Sequence, residues 1–408
     1  MTLGSWSAPL AAQTTPSAPL SQASNAPLTL DAALAQALAA NKSLMAARLR
    51  GAADAANVDV ARERPNPEFT YEAEREAPHM SFGAALPIEL GGKRARRVDV
   101  AVAEQRTTTA TLTQLALDLE TGVRRAYYTL AAALRRAEIA HDVRDLAQRA
   151  ADAAAARVTA GDAARLEQLQ AELALADTDN DVTAARADVA SARAALNLLL
   201  GQPAGTAITT SDDLALDRSQ LPAAAEAVTA IALSANVDLA VLDREIDAQV
   251  ARRNLAQSLT TPDLTAGATL AYDAPDEFRF GWRAMVAVTV PVFTRHQAGV
   301  AVENALLAQL RAERDALVEN ITARIIEAST RAAAAREQQR RYSSDILPRS
   351  VEVEQMAQES YRAGQTGLIV LLQTVQSAKA LRLRSVQAAL DVQLALADLQ
   401  RAIGASRK

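Results

Sequence analysis

Glu68, Glu72 and Glu74 stand at alternate positions in PNPEFTYEAERE (65–76). Alternation places them on one face of an extended strand, with Phe69, Tyr71 and Ala73 on the other. Carboxylates spaced this way attract cations along a wetted surface. Kept hydrated, they need no buried partners. Little else in the chain invites chemistry. The absence of cysteine removes disulfides, thiolate metal sites and a Cys nucleophile. His79, His141 and His296 are the three histidines, and they fall in no ligand-spaced motif. The five methionines, at 1, 45, 80, 285 and 356, are scattered. No metal site, cofactor or catalytic residue is therefore expected. LGGKRAR (90–96) contains Gly-Gly-Lys but lacks the spacing and Ser/Thr of a phosphate loop. Gly91 and Gly92 read instead as a strand-to-helix bend, followed by a basic collar of Lys93, Arg94, Arg96 and Arg97. The net charge of −5 gives no electrostatic case for nucleic acid. The chain reads as a non-enzyme.

The elements that hold these residues follow from composition and repetition. Hydrophobic residues make up 50% of the 408, yet aromatics only 3%. Alanine-rich, aromatic-poor sequence favours long helices packed through small side chains. The chain is also a duplication. AANKSL (39–44) matches SANVDL (234–239) and PEFT (67–70) matches PDLT (262–265), both at an offset of 195. TAGD (159–162) matches RAGQ (362–365) at 203, and Pro87-Ile88 matches Pro291-Val292 at 204. The offset changes between the two strand-like runs of each half, which predicts a longer connection there in the second half. Each half runs in one order: a helix (Leu30–Arg62, then Ala223–Ser258), two strands, a very long helix (92–159, then 297–362), a Gly-containing turn, and a last helix (163–200, then 367–403). The domain plan is a tail at 1–27, a first repeat at 28–201, a linker at 202–222, a second repeat at 223–404 and a tail at 405–408. SAPLAAQ (7–13) has the small residues that end a secretory signal, with a cut expected after Ala12. In the first long helix Leu112, Leu115, Leu119, Val123, Ala126, Leu130 and Leu134 form an 11-residue repeat. That period predicts a nearly straight rod.

Four strands separate this chain from a plain coiled-coil rod. Each alternates. Phe69 and Tyr71, Phe82 and Leu86, Leu264 and Leu270, and Phe280, Trp282, Val286 and Val288 mark one continuous apolar face, expected toward lipid. Glu68, Glu72 and Glu74 lie on the opposite face, expected toward a lumen. Four strands cannot close a barrel, and open edges are not tolerated in lipid. Several copies must contribute, and three would supply twelve strands.

A tandem repeat of helix, hairpin, very long helix, turn and helix resembles the TolC-type outer membrane efflux proteins over residues 28–404. LTLDAALAQALAANKSL resembles the family's first helix, and ARVTAGDAARLEQLQAE and SYRAGQTGLIVLLQTVQSA its two helix-turn-helix tips. The resemblance implies a mainly α fold with a small β part. Long antiparallel helices would form a periplasmic tunnel, and two hairpins per chain would join a trimeric twelve-stranded barrel in the outer membrane of a Gram-negative bacterium. It also implies a homotrimer, a periplasmic adaptor protein, an inner-membrane RND pump and outer membrane lipid as partners. The tips, Ala160, Gly161, Asp162, Ala363, Gly364, Gln365, Thr366 and Gly367, would dock the adaptor. By the same resemblance Glu167, Gln170, Val370 and Gln373 occupy the periplasmic constriction, where Val370 would close the pore and Glu167 would form a charged ring. ARERPNPEFTYEAE followed by LPIELGGKRARRV resembles the CzcC-type branch, which implies export of divalent heavy-metal cations through a passive duct. The same duct serving drugs, solvents or a secreted protein, and a non-pore periplasmic coiled-coil scaffold, are the alternatives.

Overall fold

A computed structural model describes residues 27–76, 78–211, 214, 225–274 and 278–404. Residues 1–26, 405–408 and most of 212–224 lie outside the described residues, and with them the expected signal cut, both tails and the later part of the linker. The first repeat comprises α1 (Leu30–Ala40), α2 (Lys42–Arg62), β1 (Glu68–Ala73), β2 (Met80–Ile88), α3 (Lys93–Ala160) and α4 (Arg165–Leu199). The second comprises α5 (Ala225–Ala235), α6 (Val237–Ser258), β3 (Asp263–Ala274), β4 (Phe278–Thr289), α7 (Gln297–Arg341), a π-helical turn (Tyr342–Ile346), α8 (Leu347–Arg362) and α9 (Leu368–Ile403). α3 has 68 residues, so at 1.5 Å per residue it is about 100 Å long.

The single first helix expected in each half is broken in two, at Asn41 and at Asn236. Each asparagine does the same work. Asn41 Oδ1 accepts from the Leu44 amide at 3.0 Å, capping α2, while its Nδ2 donates to the Leu199 carbonyl at 3.0 Å. Asn236 Oδ1 accepts from the Asp238 and Leu239 amides at 2.9 and 3.3 Å. Its Nδ2 donates to the carbonyls of Ala402 and Ile403 at 3.1 and 3.2 Å. One amide thus satisfies the orphan donors at one helix start and the orphan acceptors at another helix end. The first and last helices of each repeat are tied together there. Gly404, at φ 66°, passes so close that a Cβ would lie 2.4 Å from Asn236 Nδ2.

The two repeats are tied to each other beside this knot. Asp238, in the first turn of α6, accepts from Arg401 of α9 at 2.9 Å through each oxygen and from Gln114 of α3 at 2.7 Å. Arg401 also pairs with Asp118. Burial alone would raise the Asp238 carboxyl, but its hydrogen bonds to Arg401 and Gln114 outweigh burial and hold it below the usual carboxylate value.

Small side chains let the helices pack closely. Leu30, Ala33, Leu34 and Ala37 of α1 bury against Val123, Tyr127 and Leu130 of α3 and Leu196 of α4. Nearer the turns, Ile139, Val143, Ala150 and Ala154 of α3 meet Ala171 of α4 and Leu371 and Val375 of α9. The 11-residue stripe holds at Val123 and Leu130 but not lower down: Leu115 is 42% exposed and Leu117 is buried instead. α3 changes neighbours along its length, from α2 and α6 to α1, α4 and α9, so its buried face shifts around the rod.

The strands form one antiparallel sheet in the order β1-β2-β3-β4. Both expected hairpins are present, and β2 pairs with β3 from Met80↔Tyr272 to Ile88↔Leu264, joining the repeats. The longer connection expected in the second half is instead longer strands. β3 and β4 have 12 residues each, against 6 and 9 for β1 and β2. Extra residues extend the ladder because each adds paired backbone and another apolar side chain. The basic collar is not free either. Lys93 is buried, donating to Asp263 at 2.7 Å and to the Thr261 carbonyl at 2.9 Å. Arg97 pairs with Glu89, Arg96 with Asp99, and Arg94 is exposed. The Lys93 and Arg97 pairs brace the junction between the strands and the long helix. His296, at φ 52°, turns the chain into α7 where Gly92, at φ 73°, does so for α3.

Two predictions follow from the knot. Asn236→Ala removes a cap and two side-chain donors, so it should cost about 1–3 kcal/mol, read as a lower thermal midpoint. Asp238 has a depressed pKa in the folded state, so its contribution is present above its unfolded value and lost as pH falls through the folded one. Asp238→Asn should therefore lower the midpoint at pH 7 and flatten the wild-type loss of stability below about pH 4.

Candidate pore surfaces

The register sorts the sheet into two faces. One carries the rows Tyr71–Phe82–Leu270–Trp282 and Ala73–Met80–Tyr272–Phe280, then Leu86–Ala266–Val286 and Ile88–Leu264–Val288. These include every residue expected to face lipid except Phe69, which lies on the same face in the row with Ala84, Ala268 and Ala284. Trp282 is 75% exposed and Phe69 79%. A soluble surface does not leave such a continuous apolar patch open. The aromatic side chains gather toward the β1–β2 and β3–β4 connections, as they do at a membrane interface. The rings of Tyr71 and Phe82 pack against each other, tilted by 40°, with centres 5.0 Å apart.

The other face is lined by small and polar side chains. Its rows are Glu68–Ala85–Gly267–Met285, Thr70–Gly83–Thr269–Arg283 and Glu72–Ser81–Ala271–Gly281. Ser81 Oγ donates to Glu72 at 3.1 Å. Glu72, Glu74, Ser81, Thr269 and Arg283 line a concavity of about 650 Å3. The structure places Glu72 and Glu74 in one concavity and Glu68 on the same face of the sheet, and it adds Arg283 across the concavity on β4. That face carries both signs of charge.

At the far end of the rods lie the two tips. α3 ends at Gly161, φ 83°, with Gly161 N donating to Val158 O at 3.1 Å and Asp162 N to Arg157 O at 2.9 Å. The second tip repeats the pattern. Gly364 stands at φ 70°, its amide donating to Tyr361 O at 3.0 Å and that of Gln365 to Ser360 O at 2.8 Å. Left-handed backbone at each reversal requires glycine. Ala160, Gly161, Asp162, Ala363, Gly364, Gln365 and Gly367 are exposed, while Thr366 is half-buried.

Glu167 stands just inside the first tip. Its carboxylate accepts from Arg157 Nη1 at 2.8 Å and from the Tyr361 hydroxyl at 3.1 Å. The Arg157 guanidinium also lies 5.7 Å from the Tyr361 ring centre. Three helices, α3, α4 and α8, meet in this contact, and it joins the two repeats. Burial raises the Tyr361 phenol above its usual value, so it stays a hydrogen-bond donor. Arg157 and Tyr361 escaped the sequence reading. The available signal was a lone tyrosine one turn before a tip glycine, in a chain with so few aromatics. Gln170 is half-buried on α4. Val370 and Gln373 line a different surface, a groove of about 510 Å3 between α8 and α9 that also includes Asp345 and Arg349.

Among the described residues no group of three His, Asp or Glu is placed to hold a metal ion, and no helix is long and apolar enough to cross a membrane. Comparison with known proteins gives the chain's relatives. Residues 33–202 match the family described as outer membrane efflux protein. The cobalt-zinc-cadmium resistance protein CzcC of Cupriavidus metallidurans is 27% identical over 366 residues, 88% of this chain and 85% of that one. The nickel-cobalt-cadmium resistance protein NccC of Alcaligenes xylosoxydans xylosoxydans is 29% identical over 309 residues, 71% of this chain and 66% of its own. In fold the chain is similar to the outer membrane protein VceC of Vibrio cholerae, with a TM-score of 0.74 at 17% identity, covering 92% of this chain and 96% of that one. The apolar strand face, the long paired helices and these similarities converge on one conclusion: the chain is similar to the outer membrane efflux proteins, matching that family over residues 33–202, and is a non-enzymatic efflux channel of the outer membrane.

Proposed function

We propose that this channel is the outer membrane duct for divalent heavy-metal cations, acting with a periplasmic adaptor and an inner-membrane RND pump. The observation that carries the substrate class is the similarity to CzcC along most of both chains. The repeats 28–201 and 223–404, joined by 202–222, are the two wall units of each copy, with 1–27 and 405–408 as tails. Three copies supply twelve strands, and water in the lumen keeps passing cations hydrated. The duct is passive and energy comes from the pump. Exposed backbone at Ala160, Gly161, Asp162, Ala363, Gly364, Gln365 and Gly367, with Thr366 beneath, is the docking surface for the adaptor.

The Arg157–Glu167–Tyr361 contact gives the tip its resting geometry. Glu167 is engaged rather than free to form a charged ring, so we assign it to a latch. The latch holds α8 against α3 and α4. Opening requires α8 and α9 to move away from that pair, which breaks the contact first. Val370, Gln373 and Gln170 then line the constriction as it widens.

Deleting the gene should make the host sensitive to cobalt, zinc or cadmium, and expression of the chain with its adaptor and pump should restore growth. Unchanged metal tolerance with lost tolerance to organic compounds would favour drug efflux instead. In planar bilayers, Tyr361→Phe and Arg157→Ala should raise mean conductance several-fold over the wild type without changing the assembly's size. Equal conductance in all three would remove the latch.

A further inference from the structure

The sheet ends in two open edges that carry opposite charge on the concave face. β1 carries Glu68 and Glu72, continued by Glu74, and β4 carries Arg279 and Arg283. Arg283 is exposed and makes no ion pair among the described residues, although it opens on the same concavity as Glu72 and Glu74. The reason is distance. β2 and β3 stand between β1 and β4, and three strand spacings amount to about 14 Å. Across a junction between copies, β4 of one would lie a single spacing, about 4.8 Å, from β1 of the next.

In such a barrel the copies join β4 to β1, and we propose that Arg283 of one copy stands against Glu72 and Glu74 of the next. These carboxylates then act as seam partners and not as a free ring of charge. The inference rests on the trimeric barrel of the preceding section and adds which side chains hold its joints. Three observations support it. First, β1 and β4 run in opposite directions, so edge-to-edge joining continues the antiparallel ladder. Second, neither edge is tolerated unpaired in lipid. Third, strand length selects the stagger. Strand tilt of about 35–45° offsets neighbouring copies by a few residues. Without offset Thr70 would be level with Arg283, as in the rows above. An offset toward Phe278 would run β1 off the start of β4 and leave most of that edge open. The opposite offset pairs all of β1 with the Ala284–Thr289 half of β4 and brings Glu72 or Glu74 level with Arg283. Guanidinium and carboxylate there form charge-assisted hydrogen bonds. Glu68 meets only uncharged residues of β4 in every such register.

Charge exchange tests this without knowing the register. Detergent-solubilised assemblies are heated and resolved by size-exclusion chromatography. Glu72→Lys with Glu74→Lys, or Arg283→Glu alone, should lower the temperature at which the trimer separates by several degrees. All three changes together should recover most of the loss, and Glu68→Lys should have no effect. One-edge reversals as stable as the wild type, or a combination with no recovery, would overturn the seam. Should the reversed chains fail to assemble, Glu72→Cys and Glu74→Cys, each combined with Arg283→Cys, provide a second readout in a chain without native cysteine, a link from either pair supporting the seam. Oxidation should give covalently linked copies on a denaturing gel, and no single cysteine should. The separation within one copy far exceeds the roughly 7 Å limit for a disulfide, so a link reports a neighbour. A stable trimer that gives no link from either pair also overturns the seam. A wild-type chain that is a monomer in detergent would defeat the trimeric barrel itself.

Discussion

Backbone hydrogen bonding in lipid is the constraint on which the rest of the molecule depends. A strand facing hydrocarbon must pair both of its edges, since each unpaired N–H or C=O costs several kcal/mol there. This chain supplies four strands and two open edges. It therefore cannot be complete alone. The apolar face would be an aggregation hazard on a soluble protein, and we propose that it faces lipid. Everything below the sheet serves to bring identical four-stranded pieces together at the right angle. Helices of about 100 Å hold the pieces parallel, and the braced junction at Lys93, Asp263, Arg97 and Glu89 sets how strand leads into helix.

Duplication makes that arrangement inexpensive in sequence terms. Each repeat returns its last helix to the start of its first through one asparagine, at 41 and at 236. The same amide geometry recurs, so the two halves of each copy present nearly equivalent rods. Differences between the halves then mark where they diverge in use. β3 and β4 are longer than β1 and β2, and the second long helix contains a π-helical turn where the first has none. Of the β1 glutamates only Glu68 has an acidic counterpart at the 195-residue offset, Asp263, which is occupied by Lys93. Pore-face charge is thus asymmetric within a copy, and asymmetry of this kind is what a head-to-tail joint can use.

Much of this was legible in the sequence. Period-two alternation placed Phe82, Leu270 and Trp282 on one face, and the structure keeps them in one row. Pro65 and Pro67 marked where α2 had to stop. The failures have a common cause. Asn41 and Asn236 sit in apolar-periodic sequence that reads as continuous helix, and their partners are 158 and 166 or more residues away. The swap of Leu117 for Leu115 depends on which helix lies beside α3 at that level. Glu167 read as a free carboxylate because Arg157 and Tyr361 reach it from two other helices. Local pattern reports the face a residue occupies, while its partner is set by tertiary packing.

Both ends of the duct now have a physical account. At the barrel, backbone pairing demands neighbours. At the tip, a three-residue contact joins the two repeats, and we propose that it holds the helices in their resting place. The measurement that bears most directly on the central claim is native mass spectrometry of the protein extracted from outer membranes in detergent. The account requires a complex of three chain masses that loses its integrity when detergent is withdrawn. A single chain mass that stays soluble and folded without detergent would contradict it.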